Sequence, residues 1–365
     1  MRIGLVCPYS VSVPGGVQGQ VVGLASALAE LGEDLLLVAP YDGGALPEVP
    51  FVTAGASLRV PANRSRAPVG LDLAAVWRAL RELSRFRPEL VHVHEPFVPG
   101  APLGAVVVAR APVLGTFHRS GAGLAYRAVG PAARLAYRRL AGATAVSGAA
   151  RATLGQVVGR GAATCEVVPN GVALGRFEGS RRWPTSGPTA VFVGRHERRK
   201  GLGVLLSAFA GLRVPARLWV IGTGPETGAL RARHGGDARI EWCGRVGDAE
   251  LAERLAGADV LVAPALGGES FGMVLLEAMA AGTAVVASDI QGYREAAGPA
   301  ARLVPPGDSD ALRSALAELL TDATSRAALA ATGRRRASEL SMRRLAERYS
   351  ATYRELASTV AGRRR

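Results

Sequence analysis

Lysine is almost missing from this 365-residue chain: of 44 basic residues 43 are arginine, and Lys200 stands alone. So general an exchange reflects composition bias rather than a binding device, and it leaves the retention of Lys200 to be explained. Cysteine is scarce too. Cys7, Cys165 and Cys243 lie far apart with no C-x-x-C pair, which excludes a disulfide scaffold and a cysteine-based zinc site. Cys7 and Cys243 read as buried thiols of a reducing compartment. Aromatic residues make up only 5%, and no nucleic-acid module is recognisable, so a net charge of +14 does not point to nucleic acid. No apolar window is long enough to span a bilayer, and Ile3 to Cys7 is too short for a signal peptide. A cytoplasmic protein is expected.

What is present is a chain able to fold: 48% hydrophobic and 20% charged, with 46 Gly and 22 Pro for many short loops. The length suits two domains better than one. Apolar runs at Ile3 to Cys7, Leu35 to Ala39, Leu90 to Val93, Val113 to Phe117, Ala143 to Val146 and Glu166 to Val168 alternate with helical patterns. After a Pro/Gly-rich linker, Arg181 to Pro188, the alternation resumes at Thr189 to Val193, Arg217 to Ile221, Arg239 to Trp242, Val260 to Val262 and Ala284 to Ala287. Thr324 to Val360 reads as helical with little strand character. Fully apolar strands between helices predict parallel sheets covered on both faces, hence two tandem α/β domains and a helical tail. Ligands of such sheets bind beyond the carboxyl ends of the strands.

Several loops carry chemistry. Gly15-Gly16 opens the first helix, where paired glycines allow close backbone approach and helix amides favour an anion. Arg195 and Lys200 follow the strand ending at Val193 and suit a diphosphate, whereas Arg198 and Arg199 read as solvated. Glu269 and Glu277 bracket a loop and helix start, and an acid inside the apolar run Met273 to Ala281 wants partners. Carboxylates of this kind accept hydrogen bonds from vicinal sugar hydroxyls. Gly222-Thr223-Gly224 resembles part of a dinucleotide fingerprint, but Gly228 is one position late, so NAD is not favoured. Gly268-Glu269-Ser270-Phe271-Gly272 matches a hydrolase elbow in form only, because no His follows His234. His92 and His94 flank Val93 and are expected on opposite sheet faces, which argues against a metal site with His118. His118, ending its strand, is the better candidate for substrate contact.

Together the two α/β domains, the Gly-Gly loop, Gly194-Arg195 with Lys200, and the E-x7-E pair Glu269 and Glu277 resemble the retaining glycosyltransferases of family 4, which have the GT-B fold. Within that family, Cys7-Pro8-Tyr9-Ser10, Val13 to Gln18, His94-Glu95-Pro96, Thr116-Phe117-His118 and Pro169-Asn170-Gly171-Val172 look similar to the actinobacterial phosphatidyl-myo-inositol mannosyltransferases. The resemblance implies two Rossmann-like domains facing a cleft: residues 1–180 for the acceptor and membrane, 181–340 for the donor. Residues 341–365 would form a helix and basic tail returning to the first domain. It implies GDP-mannose as donor, no tightly bound cofactor or resident metal, and Mg2+ stimulation left open. Catalytic roles fall to His118, Arg195, Lys200 and Glu269. Gly16, Arg195, Lys200, Glu269, Phe271, Gly272 and Glu277 would bind the donor. Tyr9, Gln18, Asn63, Arg64 and Arg66 would lie near the inositol phosphate. Two departures border the acceptor site: Ser12 where the subgroup usually has Asp, and the run Arg119-Ser120-Gly121-Ala122-Gly123. A family 4 enzyme using a UDP-sugar and another acceptor is the alternative.

The charge is unevenly spread. Residues 1–180 hold 17 basic and 11 acidic residues, net +6; 181–325 hold 16 of each; 326–365 hold 11 and 3, net +8. Arg78, Arg81 and Arg85 share one face of a predicted helix beside Trp77, suited to an anionic phospholipid surface. A monomer attached peripherally to the cytoplasmic face of the membrane is expected.

Overall fold

The computed structural model describes residues 1–62, 65–121 and 130–363, with the side chains of 59–62, 65–66 and 360–363 outside the description. The chain divides into two compact units, Met1–Gly171 with Met342–Arg365, and Val172–Ser341.

In the first unit seven strands form a parallel sheet: β1 (Arg2–Val6), β2 (Asp34–Ala39), β3 (Phe51–Thr53), then β6 (Leu90–His94), β7 (Val113–Phe117), β8 (Gly142–Ala145) and β9 (Glu166–Val167), in the order β3-β2-β1-β6-β7-β8-β9. Strands β4 (Ser57–Ala62) and β5 (Ser65–Gly70) make a separate antiparallel pair. Sequence patterning does not predict this hairpin, because Pro61, Pro68 and arginines interrupt any apolar run. The central strands are buried nearly throughout, as continuous Val/Leu/Ile runs require.

The last helix, Met342–Arg363, belongs to this unit. Met342, Leu345, Ala346, Tyr349 and Tyr353 repeat at helical spacing and join the core formed by Ile3, Leu5, Leu24, Leu28 and Leu37. Gly171 permits the close approach at its start, since a Cβ there would lie 2.9 Å from the Met342 Cα. The helical stretch over Thr324 to Val360 comprises two helices. Ala323–Glu339 packs in the second unit, and the break falls at Leu340–Ser341, where the Val172 N–H donates to the Leu340 carbonyl at 2.8 Å.

The second unit carries β10 (Thr189–Val193), β11 (Arg217–Ile221), β12 (Ile240–Gly244), β13 (Val260–Ala263), β14 (Ala284–Ser288) and β15 (Arg302–Val304), all parallel in the order β12-β11-β10-β13-β14-β15. With its first strand central and the chain order reversing beside it, this is the doubly wound, Rossmann-like arrangement. The Thr227–His234 helix buries no residue, which is why apolar periodicity does not reveal it. Among the described residues, no helix is long and apolar enough to cross a membrane.

Candidate functional site

The second unit's sheet reverses its order between β10 and β13, and the loops leaving those two strands carry the candidate donor residues. After β10 come Gly194, Arg195 and a short turn, Arg198–Lys200. After β13 come Pro264 to Gly272 and then the Met273–Ala281 helix. The loops are joined: the Leu266 N–H donates to the Arg199 carbonyl at 2.8 Å. Gly201 has φ +70, and a Cβ on it would fall 1.8 Å from the Pro264 carbonyl oxygen. Only glycine fits there.

These loops bring charges together. Lys200 Nζ donates to Glu269 Oε2 at 2.9 Å, and Arg199 Nη1 donates to Glu269 Oε1. The same Arg199 donates from Nε to Glu197 Oε2 at 3.0 Å, and Arg195 Nε lies 3.0 Å from Glu197 Oε1. The Glu269 side chain is 11% exposed and that of Glu197 7%. Burial alone would raise the Glu269 carboxyl, but Lys200 and Arg199 outweigh it and hold the group below its usual range. It is ionised at neutral pH. The expectation that Arg199 is merely solvated is wrong: its side chain is 22% exposed and its fork spans two carboxylates. Arg198 is exposed, as expected.

Glu277 lies one helical turn in from Met273, half-buried, 3.6 Å from Arg176 Nη1. Burial raises its carboxyl; Arg176 moderates the shift and Asp248 adds to it. Arg176, also 3.5 Å from Asp248, is a partner the sequence offered no signal for. Phe271 is buried, and Gly272 starts the helix with no capping side chain, so the helix amide end is not closed by one. Gly222 and Gly224 let their loop pack against the donor loop, since a Cβ on them would fall 2.0 Å from the Gly194 carbonyl oxygen and 2.6 Å from the His196 nitrogen, and the His196 N–H donates to the Thr223 carbonyl at 3.3 Å.

In the first unit the Gly16–Glu30 helix likewise begins at glycine without a side-chain cap. Gln18 is buried, its Nε2 donating to the Val13 carbonyl at 3.1 Å. Tyr9 lies in the loop after β1, bridged to Val69, its phenol pushed up by burial and by the Glu95 and Cys7 charges. Ser12 Oγ accepts from the Asp42 N–H at 3.0 Å. Asn63 and Arg64 lie outside the described residues; Arg66 lies in β5 opposite Pro61, its side chain outside the description.

His118 is buried just past β7, with Nε2 2.8 Å from His94 Nδ1 and its backbone N–H donating to Glu95 Oε1 at 2.6 Å. Glu95 is one of two described non-glycine residues with positive φ (51°), a strained conformation held by that contact. His92 and His94 are not on opposite faces. Residues two apart in a strand share a face, and the two rings stand 4.3 Å apart. His92 Nδ1 pairs with Tyr353 Oη at 2.7 Å and Nε2 with Thr116 Oγ1 at 2.6 Å, while Thr116 pairs with Thr144 at 2.6 Å. Burial drives His92 and His118 down to about 3 and His94 well below its ordinary value. These imidazoles are neutral and engaged with one another and with hydroxyls. Among the described residues, no group of three or more His, Cys, Asp or Glu is arranged to hold a metal ion. Cys243 is half-buried rather than buried.

Comparison with known proteins agrees with this architecture. Residues 14–176 match the model of Glycosyltransferase Family 4, and residues 187–322 that of Glycosyl transferases group 1. The chain is 38% identical over 345 residues to a phosphatidyl-myo-inositol mannosyltransferase of Mycobacterium leprae, covering 91% of each chain. It is 38% identical over 334 residues to the protein of that name from Mycolicibacterium smegmatis, covering 88% of this chain and 85% of that one. Among solved structures, Anabaena Alr3699/HepE in complex with UDP and glucose superimposes with a TM-score of 0.78 at 18% identity, covering 97% and 100% of the two chains.

Proposed function

The chain belongs to the family 4 glycosyltransferases, and on that premise we propose that it moves mannose from GDP-mannose to phosphatidyl-myo-inositol with retention of configuration. The observation that supports mannose transfer and the phosphatidyl-myo-inositol acceptor is the 38% identity over 91% of both chains to a phosphatidyl-myo-inositol mannosyltransferase, and GDP as the carrier rests on the resemblance of the sequence motifs alone. In the proposed reaction the bond from the sugar C1 to the β-phosphate oxygen breaks while C1 bonds to an inositol hydroxyl on the same face. The hydroxyl proton passes to the departing phosphate, so no side-chain nucleophile is needed.

Arg195 and Lys200 stabilise the negative charge that grows on the leaving diphosphate, a contribution of about 3 kcal/mol per well-placed donor. Glu269, with the backbone around Phe271 and Gly272, holds mannose hydroxyls, and Glu277 holds those of the ribose. Gly16 lets backbone meet the donor phosphate, and His118 contacts the transferred sugar. Tyr9, Gln18, Asn63, Arg64 and Arg66 surround the inositol phosphate. The residues here form a charge-based site that needs no resident metal for these roles.

The Leu73–Phe86 helix supports attachment to an anionic membrane. Arg78, Arg81 and Arg85 are exposed, Leu73 is 80% and Trp77 64% exposed beside them, and the opposite face, Ala75, Val76, Ala79, Leu80 and Leu83, is buried. Arg85 is paired with Glu82 at 2.6 Å, which leaves Arg78 and Arg81 as the stronger anchors. The protein acts as a monomer at the cytoplasmic membrane face in this reading. The test is to offer purified protein GDP-mannose, UDP-glucose and UDP-GlcNAc, with and without phosphatidylinositol vesicles, and to measure released nucleotide and mannosylated lipid. Lipid product from GDP-mannose alone is expected. Transfer only from a UDP-sugar would refute the proposal in favour of the alternative.

A further inference from the structure

Three cations and two carboxylates alternate along one line of contacts in the second unit: Arg195, Glu197, Arg199, Glu269, Lys200. The residues assigned to the diphosphate are the two ends of this line. Each is already engaged, Arg195 on Glu197 at 3.0 Å and Lys200 on Glu269 at 2.9 Å. A diphosphate that drew both ends away would take one cation from each of two buried carboxylates. A buried carboxylate stripped of its cation either costs several kcal/mol or takes up a proton. Arg199 sits between them, with Nε on Glu197 and Nη1 on Glu269. Its planar fork presents Nε to one carboxylate and Nη1 to the other in a fixed geometry, which a rotatable ammonium does not.

We propose that Arg199 is a positioning residue of the donor site: it keeps Glu197 and Glu269 paired and in place while Arg195 and Lys200 turn to a nucleoside diphosphate. The inference rests on the donor-site reading above and extends it, because Arg199 itself touches no substrate. Around the Glu269 carboxylate the groups are Lys200 and Arg199 from the Arg198–Lys200 turn and Tyr293 from the Gln291–Ala297 helix, whose phenol is raised by burial and by the Glu269 charge. Glu197 stands behind Arg199. When Lys200 leaves, Arg199 is the cation that still contacts Glu269.

Proton uptake on binding reads this role directly. Titration calorimetry with GDP and with UDP, in buffers of different ionisation enthalpy, counts protons taken up by wild type, Arg199→Gln and Arg199→Lys. Arg199→Gln is expected to take up about one proton more than wild type at pH 7, since released Glu269 protonates. Relative to wild type, its affinity should fall about 100-fold from pH 6 to pH 8. Arg199→Lys, which retains a charge beside Glu269, should restore the wild-type proton count. An Arg199→Gln protein that melts like wild type and shows the wild-type count and pH dependence overturns the inference and leaves the donor site standing. Wild type that binds neither nucleotide overturns both. Should Arg199→Gln not fold, wild type against Glu269→Gln decides: equal counts mean Glu269 stays ionised through binding, and unequal counts overturn the proposal.

Discussion

The buried imidazoles of the first unit make it acid-sensitive below the ordinary histidine range. An unfolded histidine titrates near 6.5, whereas His92 and His118 titrate at about 3 in the folded chain and His94 also lies far below its ordinary value. Between those limits the unfolded state binds protons that the native state refuses, so stability falls as pH falls from 6.5. Lowering pH from 7.0 to 5.5 then costs about 1.2 kcal/mol per ring, or about 4 kcal/mol for the three, a large part of an ordinary domain's stability. Glu95 opposes this, because burial raises its carboxyl and favours the folded state in acid. Urea denaturation followed by circular dichroism at the two pH values measures the net loss. His92→Asn should remove about 1.2 kcal/mol of the pH-dependent part. Imidazole ring-proton shifts separate the three histidines from Glu95. Any of the three titrating with a midpoint above pH 5 in the folded protein would refute the reasoning.

Other outcomes follow from the same geometry. Lys200→Ala and Glu269→Gln should each lower donor turnover by roughly 100-fold or more with the thermal melt retained, read as released nucleotide. Arg78→Glu with Arg81→Glu should weaken sedimentation with anionic vesicles by about fivefold or more per residue at low salt, and Arg85→Glu by less, because Glu82 already neutralises it. Gly201→Ala places a methyl against the Pro264 carbonyl at positive φ, and should cost more than about 2 kcal/mol of stability in urea denaturation or displace the donor loop.

The fold class was legible because its signal is local. Continuous apolar runs such as Leu35 to Ala39 and Ala284 to Ala287 can only be buried strands of a covered parallel sheet, and β2 and β14 occupy those runs. The elements that escaped had no such signal. The β4–β5 hairpin is broken by prolines, and the Thr227–His234 helix has no fully buried residue. The division of the final helical stretch is implied by the family resemblance and not by the residue pattern, for another reason. Helical periodicity continues through Leu340, and only packing assigns Ala323–Glu339 to one unit and Met342–Arg363 to the other.

The sequence by itself determined the two α/β units, the glycine-opened helices and the residue types of the donor loops, Lys200 above all. Tertiary structure decided the partners. Glu269 is 69 positions from Lys200 and 70 from Arg199, so no local pattern relates them. They meet because β10 and β13 are neighbours in the sheet though not in the chain. The same holds for His92, brought under Tyr353 at a separation of 261 residues. Residue type sets what a side chain is able to do, but which charge it faces, and how far from water, depends on the strand order that folding imposes. That is why Arg199 reads as a solvated residue in the sequence and stands as the centre of a charge chain in the folded protein.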